Sequence, residues 1–372
     1  MENTFHKLAK KILRGSATDA ERHFMDTYYD AFDNIEGREE VLTSEEQTTL
    51  RNRIDKGIQI HIQRKNTIRF RKWLPYAAAA IILAVVGTWA FFLDNREKLP
   101  TDPILAAEEI LPGGHRATLS LADGRVIDLS ETQTGIVIAE DNITYNSGDT
   151  LLLKPSETLM LTTPKGGIYQ ITLSDGTNVW LNAASTLTYP SRFDDAERVV
   201  RVSGEAYFAV VKDKSRPFKV NSSGQTVEVL GTEFNISAYP AENETKTTLV
   251  EGKVKISNLE SQISNLLKPG EQAVISGSTM NIAQVDVVPY TAWKDGFFYF
   301  DNVPPRVAIE QVARWYDLEV SYEGNMPATF VFGMVDRAKP LSAVLNSFAK
   351  SGLNFEIRQN GSKKQLLVSE NK

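Results

Sequence analysis

Tyr169–Leu181 reads YQITLSDGTNVWL: polar and apolar side chains alternate up to Asp175-Gly176, and Val179, Trp180 and Leu181 follow. Alternation with a period of two buries one face and wets the other, which is strand behaviour. An Asp-Gly pair between two such runs predicts a hairpin, with both central residues of a type I′ turn at positive φ. The pattern occurs twice. Ala117–Leu121 alternates up to Asp123-Gly124, and Val126, Asp128 and Leu129 follow. Pro112, Gly114 and Asp123-Gly124 correspond to Pro164, Gly166 and Asp175-Gly176 at one constant spacing, a repeated hairpin unit.

Working outward, short strands are expected at Val199–Val202, Ala206–Val211, Phe218–Val220, Thr226–Leu230, Phe234–Ala238, Thr247–Val250 and Lys253–Ile256. Gly204, Pro217, Gly224, Gly231, Pro240 and Gly252 punctuate them. Many short strands with such turns predict an antiparallel sandwich or roll over residues 110–285. Trp180, Phe193, Tyr207, Phe208, Phe218 and Phe234 are its expected core. From residue 286 to 372 the rhythm changes. Strands at Trp293–Phe300, Leu318–Tyr322, Ala328–Phe332, Phe355–Ile357 and Leu366–Val368 interleave with helices at Val307–Tyr316 and Leu341–Ala349, predicting a small α+β domain with one sheet.

Towards the N-terminus lies Trp73–Leu93, WLPYAAAAIILAVVGTWAFFL, without a charged residue. At about 1.5 Å per residue such a run matches the ~30 Å hydrocarbon core of a bilayer, predicting one transmembrane helix. Trp73, Tyr76 and Trp89 suit the membrane–water boundary, and Arg71 and Lys72 anchor the inner side. Arg64, Lys65, Arg69, Arg71 and Lys72 outweigh the mixed charges of Asp94, Arg96, Glu97 and Lys98. The positive-inside rule therefore expects residues 1–72 in the cytoplasm and the remainder outside, joined by a polar linker over 94–109. The first 72 residues are expected to be a short all-α region. Leu8, Ile12 and Leu13 share one helical face; Phe24, Tyr28 and Phe32 form a stripe on a second, with Thr18 and Glu21 as its capping box. Such thin stripes serve an internal core or await a partner protein.

Composition narrows the function. The 372 residues carry a formal net charge of -6, which argues against direct nucleic-acid binding. There is no cysteine, so neither disulfides nor a thiolate metal site exist. His6, His23, His61 and His115 are scattered, and no acid/base pair or nucleophile can be named for a membrane-tethered hydrolase. No cofactor is expected. Asp123 and Asp175 suit turns for backbone reasons. Asn182, Ser185 and Arg192 are expected to cap turns, and Glu205 to pair with Arg198 or Arg201. A second reading, a membrane-anchored glycan- or polysaccharide-binding module, would be favoured by Trp180 and Tyr189 exposed side by side on a sheet, and burial of both would remove its main support.

The middle of the chain resembles the FecR family of membrane anti-sigma regulators. The resemblance is carried in order by DGTNVWLNAASTLTYPSRF (175–193), ERVVRVSGEAYFAV (197–210), RPFKV (216–220), VLGTEFNISAY (229–239) and TTLVEGKVKIS (247–257). ILRGSATDAERHFMDTYY (12–29) is similar to the sigma-binding region of members from the Bacteroidetes. LKPGEQA (267–273), WKDGFFYFDN (293–302) and VARWYDLEVSY (312–322) resemble the accompanying C-terminal domain, of small signalling or secretin type. The resemblance implies a single-pass inner-membrane protein that holds an extracytoplasmic-function sigma factor on its cytoplasmic side, with Leu8, Ile12, Leu13, Phe24, Tyr28 and Phe32 as candidate contacts. It further implies a TonB-dependent outer-membrane receptor as periplasmic partner, and release of the sigma factor after proteolysis.

Overall fold

The computed structural model describes Ala107 and residues 110–370, apart from 140, 154–156, 325, 328, 350, 361 and 362. Residues 1–72, expected to be helical, the span Trp73–Leu93 and almost all of the expected linker lie outside the described residues. So do Leu8, Ile12, Leu13, Phe24, Tyr28, Phe32, Arg71, Lys72, Trp73, Tyr76 and Trp89. Among the described residues no helix is long and apolar enough to cross a membrane.

Two sheets build the β domain, and their buried faces share one apolar core. One sheet includes Thr118–Leu121, Thr158–Thr163, Ser185–Pro190, Phe218–Ser222, Gln225–Val229, Val254–Asn258 and Ser264–Leu267. The other includes Gly135–Ile138, Gly167–Thr172, Asn178–Leu181, Glu233–Ala238, Thr245–Glu251, Glu271–Ser276 and Thr279–Gln284. The sheets are not purely antiparallel. Gly114–His115 and Gly135–Ile138 both run parallel to Gly167–Thr172, and Arg198–Ala209 runs parallel to Phe218–Ser222.

The strands expected at 199–202 and 206–211 are one strand, Arg198–Ala209. Gly204 does not break it. At φ +94° it bends the strand from one sheet into the other: residues up to Ser203 pair with Ser185–Pro190, whereas Gly204–Ala209 pair with Glu233–Ala238. Strands that change sheets do so at such bends. An added Cβ at Gly204 would lie 2.4 Å from Ser185 Oγ, so only glycine fits.

Both repeat hairpins form, one in each sheet, with a turn different from type I′. Gly124 and Gly176 have φ of +87° and +84°, while Asp123 and Asp175 do not enter the positive-φ region. The N–H of each glycine bonds back to Leu121 or Leu173, at 3.0 and 2.8 Å. This is a three-residue loop closed by a left-handed glycine. The aspartates cap it instead, each accepting the N–H two residues on, from Arg125 and Thr177, at 3.0 Å in both.

The C-terminal domain has two helices, α1 (Pro305–Trp315) and α2 (Leu341–Ala349). Two sheets replace the single one expected: Phe297–Val303 pairs with Val331–Asp336, and Leu318–Glu323, Lys363–Glu370 and Leu353–Asn360 form the other. Trp293–Asp295 is 3-10 turn rather than strand, ended by Gly296 at φ +88°. The strand expected at 328–332 starts later, because Val331, Met334 and Val335 are the buried positions and Phe330 and Phe332 are exposed. The core gathers Phe298, Phe300, Ile309, Val312, Trp315, Val344 and Phe348, and Ile110 and Ala183 join it from the β-domain side.

Candidate functional site

The groups with the least ordinary surroundings lie along the seam between the β domain and the C-terminal domain. Arg337 follows the strand Val331–Asp336 and is 3% exposed. Its Nη2 donates to Asn182 Oδ1 at 2.9 Å and its Nη1 to the Trp293 carbonyl at 3.1 Å. The guanidinium lies 3.8 Å from the centre of the Trp315 ring, and Trp315 Nε1 donates to the Arg337 carbonyl at 2.8 Å. Nε of Arg337 has no hydrogen-bond partner. Burial lowers its pKa to about 10, so it remains a cation at neutral pH.

Among the described residues no carboxylate bonds to this cation directly. The nearest relayed one is Glu205, on the strand that changes sheets, half-buried, and reached through Asn182. Burial raises the Glu205 pKa; the hydrogen bonds from Asn235 and Asn182 work in the opposite direction. Asn182 Nδ2 donates to Glu205 Oε2 at 2.7 Å, and Asn235 Nδ2 to Oε1 at 3.0 Å. Asn235 Oδ1 in turn accepts from Trp293 Nε1 at 3.2 Å. At the flank Arg314 pairs with Glu242 at 3.1 Å, stacks 4.0 Å over Tyr239, and accepts the Gly166 N–H through its carbonyl at 2.8 Å. Gly113 is forced by packing: an added Cβ would meet the Gly166 carbonyl at 2.5 Å and the Trp315 ring at 2.7 Å.

Beside the seam opens a cleft of about 800 Å³ whose lining includes Arg116, Glu131, Lys165, Asp317, Glu319 and Lys363. Opposite charges interleave there: Lys363 pairs with Glu319, and Lys165 donates to the Leu318 carbonyl at 3.2 Å. Among the described residues no group of histidines and carboxylates could hold a metal ion.

Several sequence expectations change here. Glu205 pairs with neither Arg198 nor Arg201. Arg198 bonds Asp175 instead, so Asp175 is both a turn cap and a counter-ion. Asn182 and Ser185 are seam residues: Ser185 Oγ accepts the Glu205 N–H at 2.8 Å. Tyr189 is buried and lies in the other sheet from half-buried Trp180, so the exposed pair that would have favoured the glycan-binding reading does not form. Arg337 was not legible, because Asp336-Arg337-Ala338-Lys339 looks like any charged turn. Asn235 and Trp293 sat inside segments read for their strand pattern alone.

The profile described as FecR protein matches residues 160–255, and the one described as FecR, C-terminal, matches residues 297–364. A 1.65 Å crystal structure from Parabacteroides distasonis, provisionally described as an anti-sigma factor, is 30% identical. That match covers 57% of this chain and 99% of the other, with a TM-score of 0.52. The chain belongs to the FecR family. A second structure from the same organism, at 2.50 Å and with the same provisional description, is 31% identical over 56% of this FecR-family chain and 98% of its own, with a TM-score of 0.51. Among curated proteins none matches. The seam lies between the two FecR-matched regions, with Asn182, Glu205 and Asn235 in the first and Arg337 in the second.

Proposed function

We propose that this chain is a single-pass inner-membrane anti-sigma factor that sequesters an extracytoplasmic-function sigma factor and relays a periplasmic signal to transcription. The observation that carries this reading is the joint match of both FecR regions, together with two structures described provisionally as anti-sigma factors and covered almost end to end. In this reading Trp73–Leu93 crosses the membrane once, and the apolar stripes of residues 1–72 hold the sigma factor. The β domain and the C-terminal domain stand in the periplasm and receive a TonB-dependent receptor charged with its ligand. Release inside the cell follows, assisted by an intramembrane or periplasmic protease. Each step shifts an equilibrium only as far as the partner binds one state better than the other. The role is regulatory and needs no cofactor.

The test is co-purification. Full-length chain extracted in detergent is expected to retain an extracytoplasmic-function sigma factor, and a chain lacking residues 1–72 to lose it. Phe24→Asp weakens retention if that stripe is the contact. Failure of the full-length chain to retain any such factor would overturn the reading.

A further inference from the structure

The side-chain hydrogen bonds of Glu205 reach the second domain through two asparagines. A carboxylate only accepts hydrogen bonds, so each asparagine beside it must present its NH2 to Glu205 and turn its carbonyl away. Asn182 Oδ1 thereby faces Arg337 Nη2, and Asn235 Oδ1 faces Trp293 Nε1. Both receiving groups are donors only. The Ala183 N–H also donates to Asn182 Oδ1, at 2.9 Å, and holds that amide in the same sense. One acceptor-only group in the β domain thus aligns two amides, and both amides meet donors at the C-terminal-domain side of the seam.

We propose that Glu205 is the positioning residue of a two-state latch that docks the C-terminal domain on the β domain. Its closed state is satisfied almost completely, with the Arg337 Nε as the orphan. A small separation would break the Asn182–Arg337 and Asn235–Trp293 bonds before water could enter and leave these four groups each short of one partner, so partly open forms are the costly ones. Full separation hydrates all four. The buried cation adds little net adhesion, since its desolvation offsets its attraction to Glu205 through Asn182. Docked and undocked states therefore exchange without stable intermediates, which is the form a switching element needs. This inference concerns the domain pair and does not depend on which protein binds at either end of the chain.

Glu205→Gln is the informative variant, being nearly isosteric. The new NH2 cannot accept from both asparagines. One amide must lose its bond or flip, and a flipped amide opposes NH2 to Arg337 or to the Trp293 indole. The chain has no cysteine, so exposed Lys255 and Asn354 replaced by cysteine give two unique spin-label sites, one in each domain. Pulsed electron spin resonance on the full chain in detergent is expected to show one narrow distance for the parent and a second, longer population for Glu205→Gln. Trp293→Phe, which removes only one donor, gives a smaller second population. Gln225→Ala, at a buried polar site bonded within the β domain to Thr247 and Ser222, lowers the melting temperature and leaves the distance unchanged. If Glu205→Gln fails to fold by circular dichroism, Trp293→Phe decides alone. A single narrow parental distance in the folded variants, or one gradually displaced peak, overturns the latch.

Discussion

Asp175 and Arg198 form an ion pair at 2.7 Å with their side chains 4% and 1% exposed. The pair ties the hairpin turn of one sheet to the start of the strand that crosses between sheets. Arg198 also donates to the carbonyls of Val211 and Arg216, both at 3.0 Å, and lies 5.3 Å from the Phe218 ring centre. Its Nη2 has no partner. Removing one member of a sealed pair strands the other charge, at a cost of about 3–5 kcal/mol.

Arg198→Met is therefore expected to lower the free energy of unfolding by about that much. Asp175→Asn combined with Arg198→Met is expected to cost less than the two single changes summed, because the double variant leaves no stranded charge. Urea denaturation of the four proteins measures both terms. Strict additivity would show that the pair does not couple.

The bend at Gly204 gives a second expectation. Alanine at Gly124 meets only the strain of positive φ, about 1–2 kcal/mol, since nothing lies within 4 Å of an added Cβ. Alanine at Gly204 carries the same strain and collides with Ser185 and with the Ala184 carbonyl at 2.8 Å. Gly204→Ala should thus lose clearly more stability than Gly124→Ala. Equal losses in thermal unfolding would show that the sheet crossing tolerates a side chain.

A third concerns acid. Hydrogen bonds from Ser215 Oγ, Arg216 Nε and the Ser215 N–H hold the Asp213 carboxyl below the usual carboxylate range. The folded value is the depressed one, so the stabilisation is present above the unfolded value and is lost as pH falls through the folded value. Between about pH 5 and pH 2 the urea midpoint should drop less steeply in Asp213→Asn than in the parent. Parallel curves would place the acid sensitivity elsewhere.

How far the sequence carried depends on which signals are local. Alternation and turn glycines are local, so the hairpins at Asp123-Gly124 and Asp175-Gly176 and helix Leu341–Ala349 were readable. Their context was not. Gly204 looks like a break in any one-dimensional reading, and only the two sets of partners show that one strand serves two sheets. Phe330 and Phe332 pulled the predicted strand toward them, although Val331, Met334 and Val335 are what the core takes. The polar seam was the least readable part. Its members Asn182, Glu205, Asn235, Trp293 and Arg337 lie far apart in sequence, and nothing about an asparagine alone tells which way its amide faces.

The claim on which the whole account turns is that the two ends of the chain occupy different compartments. Single cysteines placed at Ser16 or at exposed Lys255 can be challenged with a membrane-impermeant maleimide on intact spheroplasts. The account predicts that Lys255→Cys is labelled at once and Ser16→Cys only after lysis. Equal labelling of the two before lysis, or protection of both, would contradict it.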